Sequence, residues 1–358
     1  MKKQWLIGGV LGLCFTAFLL SGRIAKRYHT EPETTLNATN MNPAIFAQDA
    51  DQLAELRPYQ EVTQQLVKGP LPSMTVLPGL LATKTLASGA VAMCTEMTPQ
   101  GVVATEDYVI VSSYCHHHQH NSVLYVLEKT TGTYLKTIIL PGKPHVGGLA
   151  YDPQQQRLWI TGRRKQKAEL LALDLQTIEA YQGDQPVKVT LRRQLHDIPR
   201  ASMLTYYEGS LFVGYFSLKS EGIILQYELK NGDLQGDSAR KLTLDSADSP
   251  IGQVQIERRI QGLAFYQDKL LLSQSYGPYN RSKLLVYDNI YEKDNFSARN
   301  AAHVLRLPAH LEQISVEGDD LLLIFESAAT PYKGFEFTTV DRILRMDLAG
   351  WLKAQKND

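Results

Sequence analysis

"PQGVVATEDYVIVSSY", residues 99–114, sets a small and polar start, a short strand, a turn at Glu106–Asp107 and a second, more hydrophobic strand. The same order returns four times. It is seen in "VGGLAYDPQQQRLWITG" from Val146, "ASMLTYYEGSLFVGYF" from Ala201, "IQGLAFYQDKLLLSQSY" from Ile260 and "LEQISVEGDDLLLIFES" from Leu311. Each pair is followed by a third strand: "SVLYVLEKTTG", "AELLALDLQT", "GIILQYELKNG", "SKLLVYDN" and "RILRMDLAG". Gly101, Gly148, Met203, Gly262 and Gln313 hold equivalent places, 47, 55, 59 and 51 residues apart. Four short strands per roughly 50 residues is the unit of a propeller blade. A sandwich of stacked hairpins would not repeat one order five times. The sequence therefore predicts an all-β, five-bladed β-propeller over residues 70–358. An open ring would expose strand edges, so "TKTLASGAVAMCTEM", Thr83 to Met97, is expected to supply the outer fourth strand of the last blade.

The pattern "P-x-G-x-A-x-x-x-x-x-L-x-V … V-x-V-x-D-x-x-T-G" resembles the blade of YVTN-type and NHL-type β-propellers. The first repeat carries it best, and "HVGGLAYDP" comes next. The whole chain is similar to exported propeller-type proteins of Gram-positive bacteria without assigned activity. The resemblance spans residues 84–350 and implies the fold. It implies no activity, since propellers host hydrolases, lyases, oxidoreductases and binding modules.

Upstream, Lys2 and Lys3 precede the uncharged run "WLIGGVLGLCFTAFLL", Trp5 to Leu20. Sixteen apolar residues are long for a signal-peptide core and slightly short for a full span. No small-x-small cleavage pattern follows, and Leu13 stands where a lipoprotein signal ending at Cys14 needs a small residue. Residues 1–22 are thus read as a signal-anchor or signal peptide. The expected location is the cell membrane, single-pass, with the propeller on the extracytoplasmic side; secretion is the alternative. Residues 23–69 read as a polar tether and short helix, with Pro43 in a first turn and Gly69 as a stop. Lys plus Arg and Asp plus Glu are both 37, so the net charge of zero gives no pull toward nucleic acid. The partners expected are the membrane, through the N-terminal helix, and a cell-wall glycan or surface protein.

Number the strands of a blade A to D outward from the channel. They are antiparallel, so the D–A connections and the B–C loops emerge on one face, beside the channel mouth. Gln100, His145, Arg200, Gln261 and Glu312 fall on D–A connections. Tyr276 and Glu326 fall at ends of B strands. Convergent polar groups around a concave mouth suit a small ligand, and these seven are the candidate binding residues. Glu326 would pair with Arg200 or Arg259. The leading expectation is binding of a ligand or partner, a cell-surface glycan or anionic polymer, which the basic loop "GRRKQK" would attract. The alternative is a glycan-directed hydrolase or lyase using Glu312 and Glu326 with His145 and Arg200. A binder predicts a loose polar rim; an enzyme predicts a carboxylate buried in a deep pocket with a shifted pKa. Catalytic signatures such as G-x-S-x-G, H-E-x-x-H, Walker and dinucleotide loops are absent from the sequence. No cofactor is expected beyond a divalent metal. In the first B–C loop, "YCHHHQHN", His118 and His120 would point the same way in an extended segment and offer such a metal two imidazoles. Cys94 and Cys115 come to the same face, and outside the membrane they are expected to form a disulfide. Gly147–Gly148 reads as close packing of an inner strand, since no helix follows to hold a phosphate.

Overall fold

The computed structural model describes residues 49–235, 253–290 and 295–356. They form a five-bladed β-propeller. The first blade runs Met97–Ala104, Tyr108–Cys115, Val123–Glu128 and Tyr134–Ile139, each strand antiparallel to the next. The second runs Leu149–Asp152, Arg157–Arg164, Lys167–Asp174 and Leu191–Gln194. The third runs Met203–Tyr207, Ser210–Gly214, Gly222–Lys230 and Gln253–Ile256, extended outward by the parallel pair Asn295–Phe296. The fourth runs Ile260–Tyr266, Lys269–Gln274, Ser282–Tyr287 and His303–Leu307.

The last blade has three strands from the chain's end, Leu311–Glu317, Asp320–Phe325 and Arg342–Asp347. Its fourth is Met74–Val76. The ring is therefore closed by an N-terminal strand, but not by the expected segment. Thr83–Ala87 and Ala90–Cys94 pair with each other as a separate hairpin. Ser88 and Gly89 both have positive φ, 51° and 85°, the geometry of a two-residue hairpin turn. The turn folds this segment back on itself, so it cannot run along the last blade.

The core lies between blades. Five clusters of buried apolar residues fill the five junctions around the ring. Strand alternation divides each blade between its two neighbours: Val109 and Val111 pack toward the last blade, while Ile110 between them packs toward the second. Because both faces of an inner strand are buried, these strands read as nearly continuous hydrophobic runs. Helical turns Asp49–Glu55 and Gln60–Gln64 brace the last junction, where Leu56 and Val62 join its core. The C-terminal helix Leu348–Gln355 does the same, with Trp351 Nε1 donating to Glu61 at 2.9 Å.

The inner strands meet tightly at the axis. A Cβ on Gly148 would lie 2.6 Å from the Leu204 nitrogen, and one on Gly147 would strike the Ser202 carbonyl, so this pair is a packing device. Gly101 and Gly262 leave room for Gln313, whose side chain crosses the centre of the ring. Its Oε1 accepts from the Val102 and Leu149 nitrogens at 3.2 and 2.8 Å, and its Nε2 donates to the Leu149 and Leu204 carbonyls at 2.6 and 3.2 Å. One amide from the fifth blade thus ties the first three together and stops the channel.

Among the described residues no helix is long and apolar enough to cross a membrane. The apolar run Trp5–Leu20 and most of the expected tether lie outside them.

Candidate functional site

Above Gln313 the D–A connections and B–C loops enclose a cavity of about 1020 Å³. Three inner strands enter it through β-bulges. The ladder slips between Pro99 and Gly101, between Ile260 and Gly262, and between Leu311 and Ile314. A bulge inserts an unpaired residue and re-aims its side chain. Here the bulged residues are Gln100, Gln261 and, as two residues opposite one, Glu312 and Gln313; Gln100, Gln261 and Glu312 line the cavity.

The floor is a chain of carboxyls. Gln261 Nε2 donates to Glu312 Oε1 at 3.1 Å, and the Glu312 carboxyl lies near enough to Glu326 to feel its charge. Gln100 Nε2 donates to Glu326 Oε2 at 2.9 Å. His310 Nδ1 lies 3.1 Å from Glu326 Oε1, and its Nε2 lies 2.9 Å from Glu336 Oε1. Glu336 also accepts the Tyr279 backbone N–H at 3.1 Å. Glu312, Glu326, His310 and Glu336 are all buried. Burial, reinforced by the charge of Glu326, pushes the Glu312 carboxyl well above the ordinary range. Glu312 thus holds a proton more readily than an exposed carboxyl does. Burial works against a charge on His310, but the hydrogen bonds and charges of Glu326 and Glu336 outweigh it and raise its pKa. Its backbone φ of 62°, sparsely populated for a non-glycine residue, aims the ring between the two glutamates.

An aromatic wall rises beside the floor. The Tyr114 and His145 rings lie with centroids 4.0 Å apart, tilted by 31°, and the Tyr332 ring lies 4.7 Å from that of His310. His145 faces open space in the cavity yet is surrounded by protein beyond it. That burial, with the neighbouring His118 and His116, holds its pKa down at about 4, leaving a neutral imidazole.

The rim has two chemically distinct halves. Lys143, Arg163, Lys165 and Arg200 stand on the side of the first three blades. Tyr276 and Phe335 stand on the side of the last two, and Tyr279 and Phe337 continue that side with ring centroids 5.4 Å apart. Phe337 is 84% exposed, and Arg259 sits over the Tyr276 ring at 4.7 Å.

All seven residues singled out in the sequence, Gln100, His145, Arg200, Gln261, Tyr276, Glu312 and Glu326, border this one cavity. Three finer expectations are corrected. Glu326 partners Gln100 and His310; Arg200 instead donates to the Phe216 carbonyl at 3.3 Å. His118 and His120 do not converge. A tight turn gives His118 a φ of 53° and sends it to the cavity, while His120 Nδ1 turns to Cys115 Sγ at 3.3 Å. Cys94 and Cys115 are neighbours, but as two free thiols rather than a disulfide. Sequence reasoning missed His310 and Glu336 as members of the site. His310 directly precedes an inner strand, as His145 nearly does, and that position was the available signal.

Fold and cavity define a five-bladed β-propeller with a buried acid–base cluster on its loop face. No family model matches the chain, and no curated protein matches it. Among solved structures it is similar to the GH43_1 enzyme from Xanthomonas citri complexed with xylotriose, at 8% identity and a TM-score of 0.44, over 82% of this chain and 92% of that one. It is similar to a chain of the nidogen/laminin complex at 14% identity and a TM-score of 0.39, over 78% and 89%. The β-propeller domain of the Trilobed protease from Pyrococcus furiosus follows at 7% and 0.34, over 64% and 79%.

Proposed function

We propose that this propeller is a glycan-directed acid–base enzyme, held at the outer face of the cell membrane by Trp5–Leu20, and that it acts as a lyase on an acidic glycan. One observation carries the reading: two buried glutamates, Glu312 and Glu326, share the floor of a sugar-sized cavity, held there by Gln261, Gln100 and His310. Burying two carboxyls together is costly in a purely structural role and is what proton transfer requires.

The placement of both carboxyls on one floor favours one of the two reactions. A glycosidase sets its carboxyls apart, about 5 Å or more, on either side of the scissile bond. A pair side by side on one floor works from one side of the sugar, which suits elimination. Glu326 takes the proton from the carbon beside a uronic carboxylate, the bond to the leaving oxygen breaks with its electrons going to that oxygen, and Glu312 gives it a proton. A carbon–carbon double bond remains. The pair holds one proton before and after. Lys143 and Arg200 on the rim would neutralise the uronate and so acidify the neighbouring C–H. Gln100 and His310 orient Glu326, and neutral His145 is free to accept a hydrogen bond from a sugar hydroxyl.

The exposed aromatic half-rim also favours a second reading, glycan binding without turnover, because aromatic faces stack on sugar rings. One experiment separates the two. The purified protein is incubated with uronic-acid polysaccharides and with neutral ones. A lyase releases products whose conjugated double bond absorbs in the ultraviolet, and Glu312→Gln abolishes the signal. A hydrolase yields new reducing ends without that absorbance, and a binder yields neither while still retarding the polymer in an affinity gel. Reducing ends without absorbance, or no product from any acidic glycan, would overturn the lyase reading.

A further inference from the structure

A second constellation lies outside the carboxyl site. Cys94 Sγ, Cys115 Sγ and a ring nitrogen of His120 all lie within 4.8 Å of one another. Three separate pieces of chain bring them there: the end of the Thr83–Cys94 hairpin, the end of the first blade's second strand, and the loop after it. The backbone fixes all three. Met97 pairs with Cys115, His116 N donates to the Glu96 carbonyl at 3.0 Å, His118 N to the Cys115 carbonyl at 2.8 Å, and Asn121 N to the Leu86 carbonyl at 2.8 Å.

We propose that Cys94, Cys115 and His120 form a Zn²⁺ site that clamps the hairpin to the first blade. Tetrahedral zinc with thiolate and imidazole ligands places its ligand atoms roughly 3.5–4 Å apart, from bonds of about 2.3 and 2.0 Å. The observed 3.3 Å between His120 Nδ1 and Cys115 Sγ and the 4.8 Å limit on the trio need only small side-chain adjustments to meet that spacing. Two soft sulfurs and one imidazole select zinc over calcium or magnesium, which take oxygen ligands. Both cysteines are buried and His120 is half-buried, so the site is sheltered yet reachable from the loop side. The clamp also steadies Tyr114, next to Cys115, and hence the aromatic wall. It rests on no part of the lyase reading.

The test uses the full chain in detergent with Cys14→Ser as background, reduced and handled without oxygen. Co²⁺ is titrated in, followed by Zn²⁺. The expected result is one Co²⁺ per chain, with a thiolate-to-cobalt charge-transfer band and the ligand-field bands of tetrahedral cobalt, bleached by Zn²⁺. Cys94→Ser, Cys115→Ser and His120→Ala should each weaken Co²⁺ binding at least tenfold, while His118→Ala leaves it unchanged. His120→Ala is the safeguard, because it leaves both buried cysteines in place should their variants fail to fold. A natively folded chain that shows no charge-transfer band would overturn the site. So would a band that survives His120→Ala at full affinity, or one that His118→Ala removes.

Discussion

Glu312 and Gln313 are consecutive residues of one β-bulge, and both reach the centre of the ring. The Glu312 carboxyl lies near Glu326 at the cavity floor, while the Gln313 amide bonds the backbones of the first three blades. A regular strand would send neighbouring side chains to opposite faces. The bulge lets one strand supply the site's acid and the ring's central tie at once.

The two roles should separate by mutation. Gln313→Ala orphans two buried N–H groups and two carbonyls, so urea denaturation should show a loss of about 2–4 kcal/mol. Glu312→Gln keeps the shape and the hydrogen bond to Gln261, and should lose activity with stability at neutral pH unchanged or higher. A Gln313→Ala chain as stable as its parent would show that the central amide is not a tie.

Above about pH 6.5, stability should fall as pH rises. The folded chain keeps a proton on Glu312 that the unfolded chain gives up near the ordinary value of 4.5, so each step upward through that interval favours unfolding. His310 acts in the same direction. Its folded pKa lies above 6.5, so the stabilisation it provides is complete below 6.5 and is lost as pH climbs through the raised value. His145, held down at about 4, works the other way below about 6.5, so thermal melts from roughly pH 6.5 to 8 should show the declining midpoint. Glu312→Gln should flatten that decline and melt higher than its parent at the alkaline end. Equal slopes in the two proteins would remove Glu312 from the account.

The closing strand can be tested against the hairpin once taken for it. Leu77 N donates to the Asp341 carbonyl and Arg345 N to the Ser73 carbonyl, which makes Thr75 and Ile343 a hydrogen-bonded pair. Thr75→Pro deletes a ladder donor and should cost on the order of 2 kcal/mol. Val91→Lys, on the exposed face of the hairpin, should stay within about 0.5 kcal/mol of the parent. Urea melts of the two variants decide it.

The aromatic half-rim should matter to ligand and not to fold. Phe337 is 84% exposed, so Phe337→Ala should leave the melting temperature unchanged. If sugars stack there, affinity for a long oligosaccharide should drop about tenfold, near 1.4 kcal/mol. Affinity for a monosaccharide should not change. Calorimetric titration with both ligands reads the difference.

Much of this was legible in the chain. The five repeats gave blade number, strand order and the face on which loops converge, because alternation and turn residues are local signals. Even the irregular repeat position carried meaning: Gly101 and Gly262 make the room that Gln313 fills. What stayed hidden was non-local. Met74–Val76 is a strand of three residues, too short to show a period. Thr83–Cys94 alternates well and pairs with itself. The bulges shift register by single residues, which sequence alternation alone does not place. The placement of Glu312 near Glu326 depends on them.

The axial amide also limits how a substrate could be approached. With Gln313 bonded across the ring, the cavity is a blind pit rather than a tunnel. A polymer cannot be threaded through it and advanced unit by unit. It can present only a chain end or a short branch, and whatever enters must leave by the same mouth before the next can be taken.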